Sequence, residues 1–176
     1  MKLLTRRQFI KVGFAGAALF AAARYLDRPL AAPAARYRVL DEDSARIVGA
    51  LVPVVLAGSL PEEAGARART QREVVEAFDR AVSGLSPGIQ DELVQLFSFL
   101  GFAPTRVAFA GLWAPIEDST PDELKAFLLR WRSSRFDLQR QSYQALTQLI
   151  QASWYDNPAA WSVIGFPGPP PLAPKA

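Results

Sequence analysis

Thr120-Pro-Asp-Glu-Leu-Lys-Ala-Phe-Leu-Leu-Arg-Trp131 contains the clearest local signal in the chain. Thr120 suits an N-cap, Pro121 suits the first helical position, and Glu123 completes a capping box with Thr120. The apolar positions that follow recur at helical spacing; they are Leu124, Phe127, Leu128 and Trp131. The stretch therefore predicts an amphipathic helix with one buried face.

The same period recurs on both sides of this stretch, and no sustained two-residue alternation interrupts it. We predict helices over 41–56, 70–82, 86–101 and 136–154, a short helix within 105–113, and a last turn after Asp156-Asn157-Pro158 through Val163. Residues 57–69 are expected to form a loop, and Pro53 is expected to kink the first helix or end it near Leu51. The predicted fold class is all-α.

The chain of 176 residues is long enough for one domain. We divide it into a signal segment (1–34), a helical domain (35–165) and a proline-rich tail (166–176), which cannot be a helix or a central strand and should be extended. The expected architecture is a single small irregular bundle of about five helices between the signal segment and the tail.

The composition argues against an enzyme. The chain has no His and no Cys, which excludes histidine acid–base catalysis, cysteine nucleophiles, disulfides, Cys/His zinc sites and iron–sulfur clusters. Six of the 20 basic residues and one of the 17 acidic residues lie in residues 1–34, so the remaining 14 basic and 16 acidic residues leave the body nearly neutral. This balance does not support a nucleic-acid-binding surface.

The remaining carboxylates do not form a recognisable catalytic or metal-binding pattern. Glu62/Glu63 and Asp91/Glu92 are adjacent pairs, and neighbouring residues on a helix point about 100° apart. No phosphate-binding glycine loop, nucleophile elbow or dinucleotide fingerprint is present. We therefore predict no catalytic, cofactor-binding or metal-binding residues in this chain.

The N-terminal segment has the three parts of an export signal. Its basic start, Thr5-Arg-Arg-Gln-Phe-Ile-Lys11, resembles the twin-arginine signal pattern Ser/Thr-Arg-Arg-x-Phe-Leu-Lys, and the matching residues are Arg6, Arg7, Phe9 and Lys11. The apolar run Val12–Ala23 would span only about 18 Å as a helix, short of the hydrocarbon core of about 30 Å. A small-x-small cleavage site follows at Ala32-Pro33-Ala34. The resemblance implies recognition by the Tat translocase and export of a folded protein to the periplasm, with inner-membrane association left open.

Two further stretches are candidates for a partner interface. Arg132 and Arg135 lie beside an apolar helix face, and the sequence leaves two interpretations open: a solvated rim of that face, or a surface that pairs with an acidic partner. The C-terminal stretch is unusually aromatic, and its candidate residues are Trp154, Tyr155, Trp161 and Phe166. These rings either fold back on the bundle or form a partner-binding surface with the proline arm, and the sequence leaves both readings open.

Two motifs resemble the gluconate 2-dehydrogenase subunit 3-like family, the small subunits of FAD-dependent dehydrogenases. They are Phe127-Leu-Leu-Arg-Trp-Arg-Ser-Ser-Arg135 and Trp154-Tyr-Asp-Asn-Pro158 with Trp161 and Ile164-Gly-Phe-Pro-Gly-Pro169. The family pattern is Tyr-Tyr-Gly-Asp-Pro-x-x-Trp-x-x-Ile-Gly-Tyr-Pro-Gly. This chain has Trp154 in place of the first Tyr and lacks the Gly before Asp. The resemblance implies a non-catalytic subunit without a cofactor of its own. Its partner would be a GMC-type flavoprotein that holds FAD, and a cytochrome c subunit often receives the electrons.

Three functional hypotheses follow. An escort subunit should expose an apolar patch larger than a monomer usually shows. A stand-alone periplasmic protein that binds an apolar small molecule should contain a closed apolar pocket. An enzyme that uses only carboxylates should bring acids with raised pKa values together in a cleft.

We expect the double substitution Arg6→Lys and Arg7→Lys to abolish export, because two planar guanidinium groups present fixed cations that lysine mimics poorly. Cell fractionation of the tagged full chain measures this. Arg24→Lys with Arg28→Lys is the control with the same change of chemistry downstream. Undiminished periplasmic accumulation of the first variant would contradict the twin-arginine reading.

Overall fold

The structure is a computed structural model, and it describes residues 36–163 together with residues 165 and 167. The predicted signal residues Arg6, Arg7, Phe9 and Lys11, and the cleavage residues Ala32 and Ala34, lie outside the described residues. So do Phe166 and most of the tail.

The described chain is helical and contains no strand between residues 36 and 163, which confirms the all-α prediction. The helices are α1 (Glu42–Val55), α2 (Ala64–Ser83), α3 (Pro87–Gly101), α4 (Pro121–Arg132), α5 (Asp137–Tyr155) and α6 (Pro158–Val163). Between α3 and α4 lie a helical turn (Ala103–Thr105), a π-helical segment (Arg106–Ala110) and a 3-10 turn (Ile116–Asp118). Five long helices and one short helix therefore form the bundle.

Helix α1 is the central element. It packs against α2, α3, α4, α5 and the 3-10 turn, and Ile47, Val48, Leu51 and Val52 are fully or almost fully buried along its length. Large aromatic side chains close the core around it: Phe78, Phe97, Phe127 and Trp131. The all-round apolar sequence of α1 is the property that allows it to occupy this position.

The prediction that Pro53 ends α1 near Leu51 is wrong, because the helix continues to Val55. Proline lacks the N–H that would bond to the carbonyl oxygen four residues earlier, at Gly49. The side-chain amide of Gln71, on α2, donates a hydrogen bond of 2.6 Å to that oxygen. A neighbouring helix thus supplies the donor that proline lacks, and α1 can run through residue 53.

The predicted loop over 57–69 is also wrong in its second half, because α2 begins at Ala64 and not at Thr70. The carboxylate of Glu63 accepts hydrogen bonds from the backbone N–H groups of Gly65 and Ala66 and so caps the helix. These two hydrogen bonds lower the pKa of Glu63. Glutamate is not among the preferred N-cap residues, which is why the sequence pattern did not reveal this start.

Two predicted helix starts behave differently in the structure. The capping box at the start of α4 is confirmed: Thr120 Oγ1 accepts from the N–H of Glu123, and Glu123 Oε2 accepts from the N–H of Thr120 at 2.8 Å. Ser86 occupies the N-cap of α3, but its side chain makes no cap hydrogen bond. Pro87 at the first helical position leaves one fewer backbone N–H to satisfy there.

A buried carboxylate fastens the entry of the chain to the bundle. Asp79, on α2, is buried, and its two oxygens accept hydrogen bonds from the backbone N–H groups of Arg38, Val39 and Leu40 at 2.7 to 3.0 Å. Buried polar groups are tolerated only when they are hydrogen-bonded. Asp79 therefore fixes the direction in which the chain enters α1.

Within the described part of the chain, no single helix is long and apolar enough to cross a membrane. By length and composition alone, α3 and the residues Ala103–Ala110 together could cross a membrane, but a bend of 87° separates the two segments.

We expect Gln71→Ala to lower the free energy of unfolding by about 1 kcal/mol, because the carbonyl oxygen of Gly49 loses its donor. The cost should shrink in a Pro53→Ala background, where the backbone N–H restored at position 53 can bond to the same oxygen. Urea unfolding of the four variants measures the coupling. Strictly additive effects would show that the amide does not compensate for the proline.

We expect the contribution of Glu123 to stability to depend on pH. Hydrogen bonds from Thr120 lower the pKa of Glu123. A carboxylate whose folded-state pKa is depressed stabilises the protein above its ordinary pKa of about 4.3, and this stabilisation is lost as the pH falls through the lower, folded-state pKa. The difference in unfolding free energy between wild type and Glu123→Gln should therefore be largest near neutral pH and vanish in acid. Glu117→Gln, exposed and outside the cap, is the control; an equal pH profile for both variants would contradict the assignment.

Candidate functional site

An apolar groove lies between α3 and α5. Its volume is about 870 Å³. Its apolar lining includes Ile89, Leu96 and Phe99 on the α3 side, Phe109 in the π-helical segment, and Leu138 and Leu149 on α5. We call this feature the α3–α5 groove. Its floor includes the buried residue Leu93, and its residues Leu96, Phe109 and Leu149 pack against the core.

The groove runs lengthwise along both helices. Lining positions extend from Ile89 to Phe99 on α3 and from Leu138 to Ala152 on α5, which correspond to about 15 Å and about 21 Å of helix. The ring of Phe99 lies 6.5 Å from that of Phe109, and the amide of Gln139 reaches the carbonyl oxygen of Phe109. The C-terminal end of α3 thus faces the N-terminal end of α5, and the two walls are antiparallel.

The groove is open to solvent. Ile89 is 46% exposed and Leu138 is 60% exposed. Both residues occupy apolar positions of a helical period, which predicts burial, yet both are exposed. Leu93, Phe97 and Leu100 face the core instead of Ile89, because α3 carries more apolar positions than one helix face can bury.

Side chains from α4 and α5 hold the groove open at one end. The carbonyl oxygen of Phe109 accepts hydrogen bonds from Trp131 Nε1 at 3.1 Å and from Gln139 Nε2 at 2.8 Å. The carbonyl oxygen of Ala110 accepts from the Arg130 guanidinium at 2.8 Å. These bonds anchor the last residues of the π-helical segment to α4 and α5. Gly111 then turns the chain in the left-handed conformation.

A buried arginine donates hydrogen bonds to the adjacent loop, and the side chain of a tryptophan in that loop is exposed to solvent. Arg106 is buried, and its guanidinium donates to the carbonyl oxygens of Gly101 and Trp113. Its Nε has no hydrogen-bond partner among the described residues. The side chain of Trp113 is 84% exposed, which is rare for an indole outside an interface. The sequence reading missed Trp113 because it placed this residue at the end of a predicted helix.

The predicted interface residues do not form one patch. Arg132 and Arg135 are exposed near the N-terminal end of α5, and Arg135 lies over the ring of Phe136 at 4.8 Å. Trp154 and Tyr155 lie at the other end of α5, about 27 Å away along the helix. The α3–α5 groove occupies the length of α5 between these two ends.

Some aromatic residues at the C-terminal end fold back on the bundle, and one is exposed where a partner could bind. Trp154 is buried in the core, and Tyr155 is 53% exposed. Trp161 is partly buried against the core, and its Nε1 donates to the carbonyl oxygen of Tyr155 at 2.9 Å. Of the four candidate aromatics, only Tyr155 is shown to present an exposed side chain; Phe166 lies outside the described residues.

The groove has a mildly acidic and otherwise uncharged rim. Glu92 is its charged lining residue, and the side-chain amides of Gln95, Gln141 and Gln148 provide the other long polar groups. Arg132 and Arg135 lie beyond the N-terminal end of α5, and neither takes part in an ion pair within the described chain. The two ends of the groove therefore differ in charge.

The described carboxylates have structural or solvated positions. Glu63 and Glu123 cap helices, and hydrogen bonds to backbone N–H groups lower their pKa values. Asp91 and Glu92 are exposed on α3. In the part of the chain that the structure describes, no three His, Cys, Asp or Glu residues are grouped so that they could hold a metal ion.

No protein-family model, curated protein or solved structure matches the chain. The residues themselves therefore carry the functional argument, and the groove and its rim are the main structural features available for it.

We expect Trp131→Phe and Gln139→Ala to act cooperatively, because both side chains donate to the carbonyl oxygen of Phe109. Each single variant leaves that oxygen one donor and should lower the unfolding free energy by about 1 kcal/mol. The double variant removes both donors and should cost more than the sum. Urea unfolding measures the coupling, and faster amide hydrogen exchange over residues 106–111 locates it. Additive losses of unfolding free energy, with unchanged amide hydrogen exchange over residues 106–111, would show that the two side chains do not anchor this segment together.

Proposed function

We propose that this chain is a non-catalytic escort subunit of an exported FAD-dependent dehydrogenase. It binds the folded catalytic subunit, a GMC-type flavoprotein, and supplies the twin-arginine signal that exports the complex. FAD belongs to the partner, and a cytochrome c subunit is the electron acceptor of the assembled enzyme. The place of function is the periplasm.

The observation that carries this proposal is the open, apolar α3–α5 groove. Ile89 and Leu138 remain exposed although the rest of the bundle has a complete core around α1. Concave apolar surface that is open to solvent occurs at protein-binding sites and at ligand-binding grooves. Exposed Trp113 adds a residue type that is enriched at the energetic centres of interfaces.

The sequence supports the same proposal independently. The motif Thr5–Lys11 resembles a twin-arginine signal, and that route carries folded proteins. The chain itself lacks His and Cys and shows no cofactor-binding motif. A signal for folded export on a chain without such a motif fits a subunit that carries a partner. The two motifs within 127–135 and 154–169 suggest which class of partner that is.

A second candidate is the binding of an apolar small molecule. The groove volume of about 870 Å³ lies within the range of ligand sites. Such sites bury most of the ligand, however, and the exposure of Ile89 and Leu138 shows that this groove is open to solvent at these two positions. The escort function agrees better with an open groove.

Purification of the tagged full chain from the periplasm of its native host tests the proposal. We expect a stoichiometric flavoprotein with the absorption spectrum of FAD, encoded without a signal of its own. Arg6→Lys with Arg7→Lys should leave both proteins in the cytoplasm, and Arg24→Lys with Arg28→Lys should not. A chain that elutes alone as a monomer contradicts the escort function, and an extractable apolar compound would then favour the second candidate.

A further inference from the structure

We infer that the α3–α5 groove holds an amphipathic α-helix of the catalytic flavoprotein, about three to four turns long, whose acidic end lies at Arg132 and Arg135. This inference rests on the proposed function and adds to it the place, the secondary structure and the direction of the contact.

The shape of the groove fits a helix. Its walls are two antiparallel helices that pack on α1 and on other elements but not closely on one another. The lining positions on α5 recur every three or four residues, from Leu138 through Gln141, Ala145 and Leu149 to Ala152, and all of these except Gln141 are apolar. Helices dock into apolar grooves through side chains at this same spacing. A helix that matches the longer wall, about 21 Å, contains about 14 residues.

The charges at the groove give the helix a direction. Arg132 and Arg135 are exposed at one end and make no ion pair within the described chain. Glu92 is the charged residue of the lining, on the α3 wall. A partner helix with acidic residues at the arginine end and a basic residue facing Glu92 is electrostatically complementary, and charge complementarity fixes register and orientation.

The groove also connects residues that are otherwise far apart. Tyr155 lies three residues beyond Ala152 on α5, so it continues the face that lines the groove. A helix laid along the groove would contact the arginine pair at one end and the exposed ring of Tyr155 at the other. One bound helix thus accounts for the exposed interface candidates at both ends of α5.

Other occupants fit less well. A small apolar ligand would stay partly in water beside Ile89 and Leu138, which are 46% and 60% exposed. The hydroxyl of Thr105, which also lines the groove, already donates to the carbonyl oxygens of Phe99 and Phe102. A second copy of this chain docked groove to groove would place the same acidic and amide rim against itself.

Site-specific cross-linking of the purified complex tests the contact. The chain has no cysteine, so single cysteines introduced as Leu138→Cys or Ile89→Cys carry a thiol-attached photo-cross-linker at one known place. Leu129→Cys is the matched control, because Leu129 is a 49% exposed leucine on α4 outside the groove. Mass spectrometry identifies the linked peptide.

We expect both groove positions to link to one segment of the flavoprotein, at sites about 10 to 14 residues apart, and the control position to link to it at least about tenfold less. The site linked from Leu138 should lie beside acidic residues. Links to a second copy of this chain, to a lipid, or to unrelated flavoprotein segments overturn the inference, as does a stronger link from Leu129→Cys.

Charge reversal provides a second measurement. Arg132→Glu with Arg135→Glu should weaken the complex about tenfold at low salt and less at high salt. Leu138→Glu should weaken it at all salt concentrations, and Leu129→Glu should not. Thermal unfolding of each variant confirms that the fold is retained. If the wild-type complex forms and the groove substitutions do not weaken it, this inference alone is overturned. A wild-type chain that copurifies with no flavoprotein overturns the proposed function as well.

Discussion

The carbonyl oxygens at the end of the π-helical segment are the constraint on which the groove depends. Phe109 and Ala110 end an irregular stretch of backbone, and Trp131, Gln139 and Arg130 donate to their oxygens. Because these donors belong to α4 and to the start of α5, the segment after α3 is tied to both helices. The tie joins the segment after α3 to the start of α5 at one end of the groove, while α5 itself packs on α1, α2 and α4.

The same solution recurs where the backbone departs from regular structure. Gln71 supplies the donor that Pro53 removes from α1. Asp79 accepts hydrogen bonds from the N–H groups of residues 38–40, which precede that helix. In each case a side chain from a different helix satisfies a main-chain group. The bundle can therefore contain a proline in its central helix and a buried entry segment without leaving these polar groups unpaired.

The carboxylates with shifted pKa values and the apolar groove occupy separate parts of the bundle. The carboxylates with lowered pKa values cap helices, whereas the concave surface is apolar with an amide-rich rim. An open groove, an exposed indole at Trp113 and two arginines that make no ion pair within residues 36–163 are features that a binding partner would cover. The proposed escort function would connect these features with the twin-arginine signal that the sequence predicts.

The sequence by itself determined the helical class, most helix positions and the capping box at Thr120, because helix periodicity and caps are local properties. It also indicated the export signal. It did not determine where Pro53 and Glu63 would place helix boundaries, since a donor from α2 and an unusual cap decided those. Only the tertiary structure decided which apolar stripe of α3 and α5 faces the core and that Ile89, Trp113 and Leu138 stay exposed. The reason is physical: a helical period shows that a side chain belongs to an apolar face, but only the neighbours that pack on that face decide whether it is buried.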